Sequence, residues 1–398
     1  MTLTPYVLLA VSLGLCLYPY LGYPAILKLL RLFRRSPWSP RSPASADQWG
    51  AWPSVSITIP VYNAGDVLAR TLECILQLDY PPERRQILVV SDASTDSSDE
   101  IAAGLAGRGV ELLRLPRRAG KTAGENTART VLRGEIIVNT DASVQIHPQA
   151  LKALVAALGD PTVGLASGRD VSVARVAARA NLGESAYVDY EMRIRDLETR
   201  VSGIVGASGC LYAVRAELHR EAVREDLSRD FAAVLIARRR GLRAVSVPDA
   251  ICFVPRGASL KQEYRRKVRT MTRGLRTLWE MRALLNPVRY GLFAWMLLSH
   301  KLCRWVVPWA GLGALGALAA LAPHELWARG ALGAAAAVAG LAVVGWLWPG
   351  ERNLPRLFAL PAYGVGGTVA GLHAWLLAVG GAHMATWEPT RRATAGAR

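Results

Sequence analysis

Cysteine and histidine are sparse in this sequence of 398 residues, which has five of the former and six of the latter. The cysteines stand far apart and form no C-x-x-C pair: Cys16, Cys74, Cys210, Cys252 and Cys303. The histidines are equally scattered. This spacing indicates neither a disulfide framework nor a zinc site.

Acidic residues are fewer than basic ones, 31 against 48, which gives a formal net charge of +17. The sequence nevertheless lacks a recognition-helix pattern, zinc spacing and interleaved aromatic and basic residues, so we expect no nucleic-acid partner. Anionic lipid headgroups and a pyrophosphate explain the charge better. Gly120 and Lys121 resemble the end of a Walker A loop, but Leu115 stands where that motif requires glycine, which argues against a P-loop protein.

Asp, Glu, Lys and Arg are missing altogether from four segments, 2–27, 305–323, 331–350 and 357–387. Each segment is long enough to cross a bilayer core of roughly 30 Å as a helix. The composition therefore predicts one N-terminal and three C-terminal spans. A cleaved signal peptide is the alternative for the first segment, but it has no basic n-region and no A-x-A site.

The basic residues that follow the first segment set the expected topology, because such flanks stay cytoplasmic: Lys28, Arg31, Arg34 and Arg35. Four spans would then leave the C-terminus outside, although the tail over 388–398 is itself basic and favours the cytoplasm. Residues 290–299 are apolar but short and lead into His300, Lys301 and Arg304, which favours an interface helix. The side of the C-terminus stays open.

The middle of the chain changes character after a Pro- and Ser-rich linker over 36–54. Short β-branched runs at 56–60, 87–90, 111–115 and 135–140 alternate there with helical stretches, the βαβ pattern of a parallel sheet. Ligands of such sheets bind at the carboxyl ends of the strands. Asp92 and Asp141 directly follow two of the predicted strands, and they are candidate ligand-binding residues.

Asp141 is the candidate metal ligand, because Mg²⁺ and Mn²⁺ take oxygen ligands and often only one or two protein carboxylates. The alternative is a helix cap or Asx-turn before a helix starting near Pro148, and Asp92 has the same alternative. Asp230 begins a helical segment that ends at Gly241 and is a candidate general base. Its alternative is an acidic residue favoured by the helix dipole.

Residues 261–276 form a basic amphipathic pattern with apolar residues at helical spacing. One interpretation is a helix in the membrane interface that faces anionic lipid. The other adds phosphate contacts from Gln262 and a neighbouring arginine. Both interpretations can hold together.

Several motifs occur in one order: SITIPVYNAGD (56–66), SDASTD (91–96), RRAGKT (117–122), TDAS (140–143), VGASGCLYAVR (205–215), RDF (229–231) and QEYRR (262–266). In this order the chain resembles the membrane-bound family-2 glycosyltransferases, the group of the cellulose, hyaluronan and poly-N-acetylglucosamine synthases. The resemblance implies an α/β GT-A fold with a mostly parallel sheet, joined to transmembrane helices. It also implies inverting transfer of a sugar from a nucleotide-sugar.

The resemblance assigns roles to individual residues. Asp92 contacts the base or ribose of a nucleotide, which is UDP by the same resemblance, and Asp141 reaches the diphosphate and its Mg²⁺ or Mn²⁺. Asp230 is the catalytic base. The remaining residues implied are, for the nucleotide-sugar, Lys121, Gln262, Arg265 and Arg266, and for the acceptor, Ser208, Gly209 and Cys210.

Three positions depart from the family pattern. Ser143 stands where the D-x-D motif has its second aspartate, and Arg229 stands where many relatives have an acidic residue. Arg266 replaces the tryptophan of the Q-x-x-R-W motif with which polymerising synthases form the acceptor entrance, and this argues against processive synthesis.

The leading functional prediction is transfer to a growing polysaccharide, such as an exopolysaccharide, or to a lipid-linked acceptor at the cytoplasmic face of the inner membrane. One alternative is a non-catalytic nucleotide-binding scaffold of an export complex, with other subunits of that complex as partners. Another is a single transfer to a polyprenyl phosphate or a lipid headgroup. The expected domains are a span (1–35), the linker, the transferase domain (55–258), interface helices (259–304), spans (305–387) and the tail.

Overall fold

The computed structural model describes residues 3–33, 51–173, 182–255, 260–349 and 354–386, with side chains omitted for 182–186. Most of the predicted linker and the whole basic tail lie outside these ranges. Within them, the chain forms one α/β sheet domain and a set of long apolar helices.

Eight strands of the described chain form a single sheet in the order β3-β2-β1-β4-β7-β6-β8-β5. Their bounds are β1 Val55–Val61, β2 Arg85–Ser91, β3 Val110–Arg114, β4 Ile136–Thr140, β5 Gln145–Ile146, β6 Val163–Val173, β7 Leu211–Arg215 and β8 Arg243–Pro255. The pairings among β3, β2, β1 and β4 are parallel, as is that of β6 with β8. Only β7 and β5 run antiparallel to their neighbours.

The first four strands match the four that the sequence pattern predicts, with ends that differ by one or two residues. All seven residues of β1 are buried. A strand of a parallel sheet is covered by helices on both faces, so a continuous apolar run is expected there. The predicted fold class, a mostly parallel α/β domain plus apolar helices, is confirmed.

Helices cover both faces of the sheet. The helices of this domain are α3 Gly65–Leu76, α4 Ser98–Gly104, α5 Lys121–Ala128, α6 Ala150–Leu158, α7 Leu182–Val201, α8 Ala216–His219 and α9 Arg229–Arg239. Side chains of α3 and α6 belong to the main core with β1 and β8. Side chains of α9 form a second core on the opposite face.

Four helices are long and apolar enough to cross a membrane in the described part of the chain: Thr4–Phe33, Leu292–Leu321, Leu326–Leu347 and Arg356–Val379. The first joins α1 Thr4–Leu17 to α2 Tyr23–Phe33 through a π-helical turn. The second joins α12 Leu292–Leu297 to α13 Cys303–Leu321 through another, at Leu298–Leu302. The last two are α14 and α15, and between the sheet domain and α12 lie α10 Leu260–Glu280 and α11 Pro287–Tyr290.

The second apolar helix starts at Leu292, well before position 305, where the sequence pattern places its beginning. Residues 292–299 therefore continue directly into it and form no separate helix. The charges that interrupt the apolar pattern here are compensated, because Arg304 pairs with Glu191 of α7 and His300 lies between Glu191 and Glu198. A helix can therefore continue through charged residues when they are paired, although a search for charge-free segments places the start of the helix after them.

An apolar cluster joins these long helices to the sheet domain. Tyr23 and Leu27 of α2 and Phe293 of α12 are buried in it together with Val205 and Phe231. The sheet domain is therefore packed directly on two of the candidate spans. One end of its ligand cavity is formed at this junction.

Candidate active site

A cavity of about 1140 Å³ opens at the carboxyl ends of β1 and β4 and continues toward the junction with the long helices. Its wall includes Asp141 after β4, Asp230 at the start of α9, and Trp305 of α13. Ligand pockets of drug-sized molecules have volumes of roughly 300–1,000 Å³. This cavity has room for more than one small ligand.

Asp92 follows β2, as predicted, but its side chain is only 4% exposed. Its two carboxylate oxygens accept hydrogen bonds from the backbone amides of Ala119, at 2.6 Å, and Gly120, at 2.9 Å. The cap of α4 is Ser97, so Asp92 does not cap that helix. In the described structure Asp92 does not line the cavity but holds the loop that leads into α5.

Gly120 is the residue at which that loop turns into α5. Its φ of +96° is a conformation that side chains disfavour, and an added Cβ would meet the carbonyl oxygen of Ala385 at 1.9 Å. The segment that follows the last long helix thus packs against the Asp92 loop. Arg276 of α10 fixes this segment by donating to the carbonyl of Ala382, at 2.6 Å.

Lys121 and Asp141 form the polar centre of the cavity wall. Lys121 Nζ donates to Asp141 Oδ1 at 2.6 Å and to the carbonyl of Gly209 at 3.3 Å. Burial by itself would lower the pKa of Lys121, but the negative charges of Asp141 and Glu125 outweigh it and raise that pKa above its ordinary value. The α6 helix is capped at Gln149, so Asp141 is not its cap.

The segment 206–210 lies along the cavity and contains the three predicted acceptor residues, Ser208, Gly209 and Cys210. Ser208 Oγ donates to Asp170 at 2.6 Å and accepts from the amide of Cys210 at 3.1 Å. Its hydroxyl therefore helps to fix this segment. Gly209 lies between the candidate side chains Asp230 and Lys121, since an added Cβ there would lie 3.0 Å from Asp230 Oδ2 and its carbonyl accepts from Lys121.

Asp230 lies in the first turn of α9 and lines the cavity. Its Oδ1 accepts a hydrogen bond of 2.5 Å from Ser228, the cap residue of the same helix. The neighbouring Arg229 is directed elsewhere, toward Asn126 at 2.8 Å and the carbonyl of His219. The structure thus brings Asp230, Lys121 and Asp141 together at one cavity.

The basic helix α10 meets the cavity through only one of the three residues that the motif predicts. Arg266 lines the cavity and pairs with Glu263 through two contacts of 2.7 and 2.8 Å. Among the described residues, Gln262 and Arg265 do not line it, and Arg265 is exposed. The cavity is lined instead by two arginines one and two turns further along, Arg269 and Arg273.

The cavity residues that the sequence analysis missed include Arg195 of α7, and Lys301 and Trp305 of the second long helix. Trp305 packs edge-on against Phe231, with ring centroids 6.1 Å apart. An aromatic wall is therefore present although Arg266 stands at the tryptophan position of the motif. The signal available in the sequence was a lysine and an arginine at the start of an otherwise apolar helix.

The residues present fit a divalent cation only as part of a shared site. Among the described residues, no three acidic, histidine or cysteine side chains are grouped closely enough to hold a metal ion. Asp141 offers a carboxylate to the cavity, and Ser143 offers a hydroxyl on the same wall. Mg²⁺ is commonly bound by one or two carboxylates together with substrate phosphates, and this donor set fits that arrangement.

Comparisons with known proteins identify the domain. A family model described as glycosyl transferase family 2 matches residues 56–217. An N-acetylglucosaminyltransferase of Rhizobium sp. strain N33 is 31% identical over 134 residues, 32% of this chain and 30% of that protein. A beta-monoglucosyldiacylglycerol synthase of Nostoc sp. strain PCC 7120 is 28% identical over 162 residues, 39% of this chain and 34% of that protein. The chain thus spans about a third of the length of these relatives.

The fold is also that of a solved glycosyltransferase. The mannosyltransferase PcManGT of Pyrobaculum calidifontis, in complex with GDP-Man and Mn²⁺, superposes with a TM-score of 0.69 at 23% identity, over 94% of this chain and 97% of that one. The resemblance to the cellulose and hyaluronan synthase group remains a prediction. The domain built on residues 56–217 belongs to glycosyltransferase family 2, has the GT-A fold, and in the described part of the chain is joined to four helices long and apolar enough to cross a membrane.

Proposed function

We propose that this protein transfers a sugar from a nucleoside-diphosphate sugar to an acceptor hydroxyl at the cytoplasmic face of the plasma membrane. The observation that carries the proposal is the cavity itself. It holds Asp230 beside the Lys121–Asp141 pair and extends without interruption to Trp305 on a candidate span. A donor from the solvent side and an acceptor from the membrane side can therefore meet at Asp230.

The donor diphosphate would lie at Lys121 and Asp141. Lys121 supplies a fixed positive charge, and Asp92 keeps the loop before it in place through Ala119 and Gly120. A divalent cation held by Asp141 and the hydroxyl of Ser143 would neutralise charge on the departing diphosphate. Family relatives motivate Mg²⁺ or Mn²⁺, since the PcManGT structure contains Mn²⁺ with its donor.

Asp230 would act as the general base. It accepts the proton of the acceptor hydroxyl as that oxygen forms the new bond to the sugar C1, while the old C1–O bond breaks and its electron pair leaves with the diphosphate. Attack from the face opposite the diphosphate inverts the configuration at C1. The hydrogen bond from Ser228 orients the carboxylate and leaves its second oxygen for the acceptor.

We take UDP and GDP as the candidate donor nucleotides. The motif resemblance favours UDP, whereas PcManGT binds GDP-Man. Both donors can be tested with the full-length protein in a mild detergent. We expect one nucleotide-sugar of a UDP and GDP panel to raise the melting temperature by mass action and its radiolabelled sugar to be transferred or hydrolysed. Stabilisation by none of them, with no turnover in Mg²⁺ or Mn²⁺, would contradict the proposal.

Substitution of Lys121 by Met tests the placement of the diphosphate. A hydrogen bond to a charged group contributes about 1.5–3 kcal/mol, so donor affinity should fall by about 10- to 100-fold. The pKa of Lys121 is raised, so the side chain is charged below 10.5 and loses its proton only above that value. Donor affinity of the unmodified protein should therefore show no loss from this group between pH 7 and pH 10.

Lys152→Met is the matched control, because Lys152 also forms an ion pair, with Asp79 at 2.7 Å, but lies outside the cavity lining of the described chain. Calorimetric titration with the stabilising nucleotide-sugar measures both variants. Equal donor affinity of the Lys121 variant and the control would show that the diphosphate does not bind at Lys121.

A further inference from the structure

The cavity has a second polar end, which the segment 206–209 separates from the proposed diphosphate position. There Lys301 of the second long helix faces Gly206, and an added Cβ at Gly206 would lie 2.8 Å from Lys301 Nζ. The same Nζ lies 5.5 Å from the ring centroid of Phe231, the residue after the proposed base. Arg195 of α7 lines this end as well.

In the described part of the chain, neither cation has a carboxylate partner at ion-pair distance. Lys301 makes no ion pair within 4.0 Å in the described part of the chain. Arg195 donates from Nη2 to the carbonyl of Ala207 at 3.2 Å, whereas its Nε and Nη1 are buried without a described partner. This end of the cavity thus has two cationic side chains that no described carboxylate contacts directly.

The two acidic residues closest to this end on α7 already have partners. Glu191 pairs with Arg304 and with His300 Nε2, at 3.1 Å. Glu198 accepts from Tyr23 at 2.5 Å and lies 2.6 Å from His300 Nδ1. Glu191 lines the cavity, but its direct contacts are with Arg304 and His300, so the donors of Lys301 and Arg195 are left for a ligand.

Buried charges without a counter-charge are costly, and proteins retain them where a ligand supplies the missing charge. A phosphate group matches two convergent cations, because an arginine fork and an ammonium group bind it with charge-assisted hydrogen bonds. A neutral glycan hydroxyl would leave both cations uncompensated. The chemistry therefore favours an anionic acceptor.

We propose, on the basis of the function above, that Lys301 and Arg195 bind the phosphate of a lipid-anchored acceptor. The donor diphosphate has its own cation, Lys121, at the other end of the segment 206–209, which spans at most about 11 Å. Lys301 belongs to a helix apolar enough to cross a membrane, so a phosphate bound to it lies where a lipid tail can enter the bilayer. The phosphate is a binding group whose bonds stay intact, and the acceptor hydroxyl beyond it faces Asp230.

The test uses the full-length protein in neutral detergent and three probes: dioctanoyl phosphatidic acid, dioctanoylglycerol, which has the same tails without phosphate, and inorganic phosphate. Binding is measured by native mass spectrometry and thermal shift. We expect phosphatidic acid to bind at least tenfold more tightly than either of the other probes. If dioctanoylglycerol bound as tightly as phosphatidic acid, the proposed phosphate contact would be wrong. If inorganic phosphate bound as tightly, the site would bind phosphate but not specifically that of a lipid.

Three variants locate the site. Lys301→Gln and Arg195→Gln should each weaken phosphatidic acid binding about tenfold or more, because each removes a charged hydrogen-bond donor. Gly206→Ala should weaken it without changing any charge, since the methyl group displaces Lys301 Nζ. Arg193→Gln, an exposed arginine on the same helix, is the control for non-specific attraction to a basic protein. Loss in the control equal to that in the three variants would overturn the site.

The nucleotide-sugar thermal shift is measured on the same samples. If it is retained in the variants, they are folded and the donor site is intact. If the unmodified protein binds phosphatidic acid at Lys301 but no nucleotide-sugar stabilises it, the transferase proposal fails while the phosphate site stands. The converse result leaves the transferase proposal in place and overturns the lipid phosphate.

Discussion

Replacement of Asp230 by Asn should reduce the rate of sugar transfer by about 10²- to 10⁴-fold, the usual contribution of a general base. The amide has nearly the shape of the carboxylate and can still accept the hydrogen bond from Ser228. It has no basic oxygen for the acceptor proton. Donor binding should persist, because the diphosphate contacts are assigned to Lys121 and Asp141.

The same variant separates catalysis from a purely structural role. If Asp230 only complemented the dipole of α9, its loss would change stability by about 0.3–1 kcal/mol and leave the rate of each folded molecule unchanged. Initial rates with radiolabelled donor and melting temperatures distinguish the two outcomes. Asp249→Asn, at an exposed position of β8, is the matched control. A transfer rate of the Asp230 variant within twofold of the control would show that Asp230 is not the general base.

The parallel half of the fold and the strand-end aspartates follow from the sequence for a physical reason. Strands β1, β2 and β4 are buried on both faces and are rich in β-branched and apolar residues, which the local pattern detects, whereas the edge strand β3 is only partly buried. The aspartates after β2 and β4 then lie at one edge of the sheet by geometry alone. Strands β5 to β8 were not predicted, because their pairing depends on contacts distant in sequence, such as β4 with β7.

The face of α10 that meets the cavity could not be fixed from the motif. Arg266, Arg269 and Arg273 follow one another at helical spacing and share one face. Gln262 belongs to the same face but lies one turn before the cavity, and Arg265 points away from it. Only the packing of the helix against its neighbours decides where along its length the ligand lies.

Lys301 and Arg195 were missed for a related reason. They are separated by 106 positions in the sequence, and each taken alone has an ordinary interpretation, a break in an apolar run or a solvated helix residue. Their shared cavity exists because α7 and the second long helix are held together by His300, Glu191 and Glu198. The local sequence pattern contains no information on the contact between α7 and the second long helix.

Substitution of Glu198 by Ala should destabilise this junction by about 3 kcal/mol or more, because three buried groups, on His300, Tyr23 and Val205, lose their partner at about 1–3 kcal/mol each. The carboxylate of Glu198 contacts His300, accepts from the hydroxyl of Tyr23, and accepts from the amide of Val205 at 3.2 Å. Glu198 thus connects two candidate spans with Val205, the residue before the segment 206–210 that contains the predicted acceptor residues. Unfolding by denaturant in detergent measures the loss, with Glu217→Ala, an exposed residue of α8, as the control.

The contribution of Glu198 should also depend on pH in a definite direction. Burial would raise its pKa, but the charge of His300 and hydrogen bonds from His300 and Tyr23 outweigh burial and hold the pKa below its ordinary value of 4.5. A depressed carboxylate pKa stabilises the folded state above 4.5, and this stabilisation is lost as the pH falls through the lower, folded value. The share of the stability difference between the Glu198 variant and the unmodified protein that comes from titration of Glu198 should therefore be present above pH 4.5 and shrink only below it. A difference that vanished already at pH 6 would mean that titration of another group, and not of Glu198, controls the docking of the sheet domain on its membrane helices.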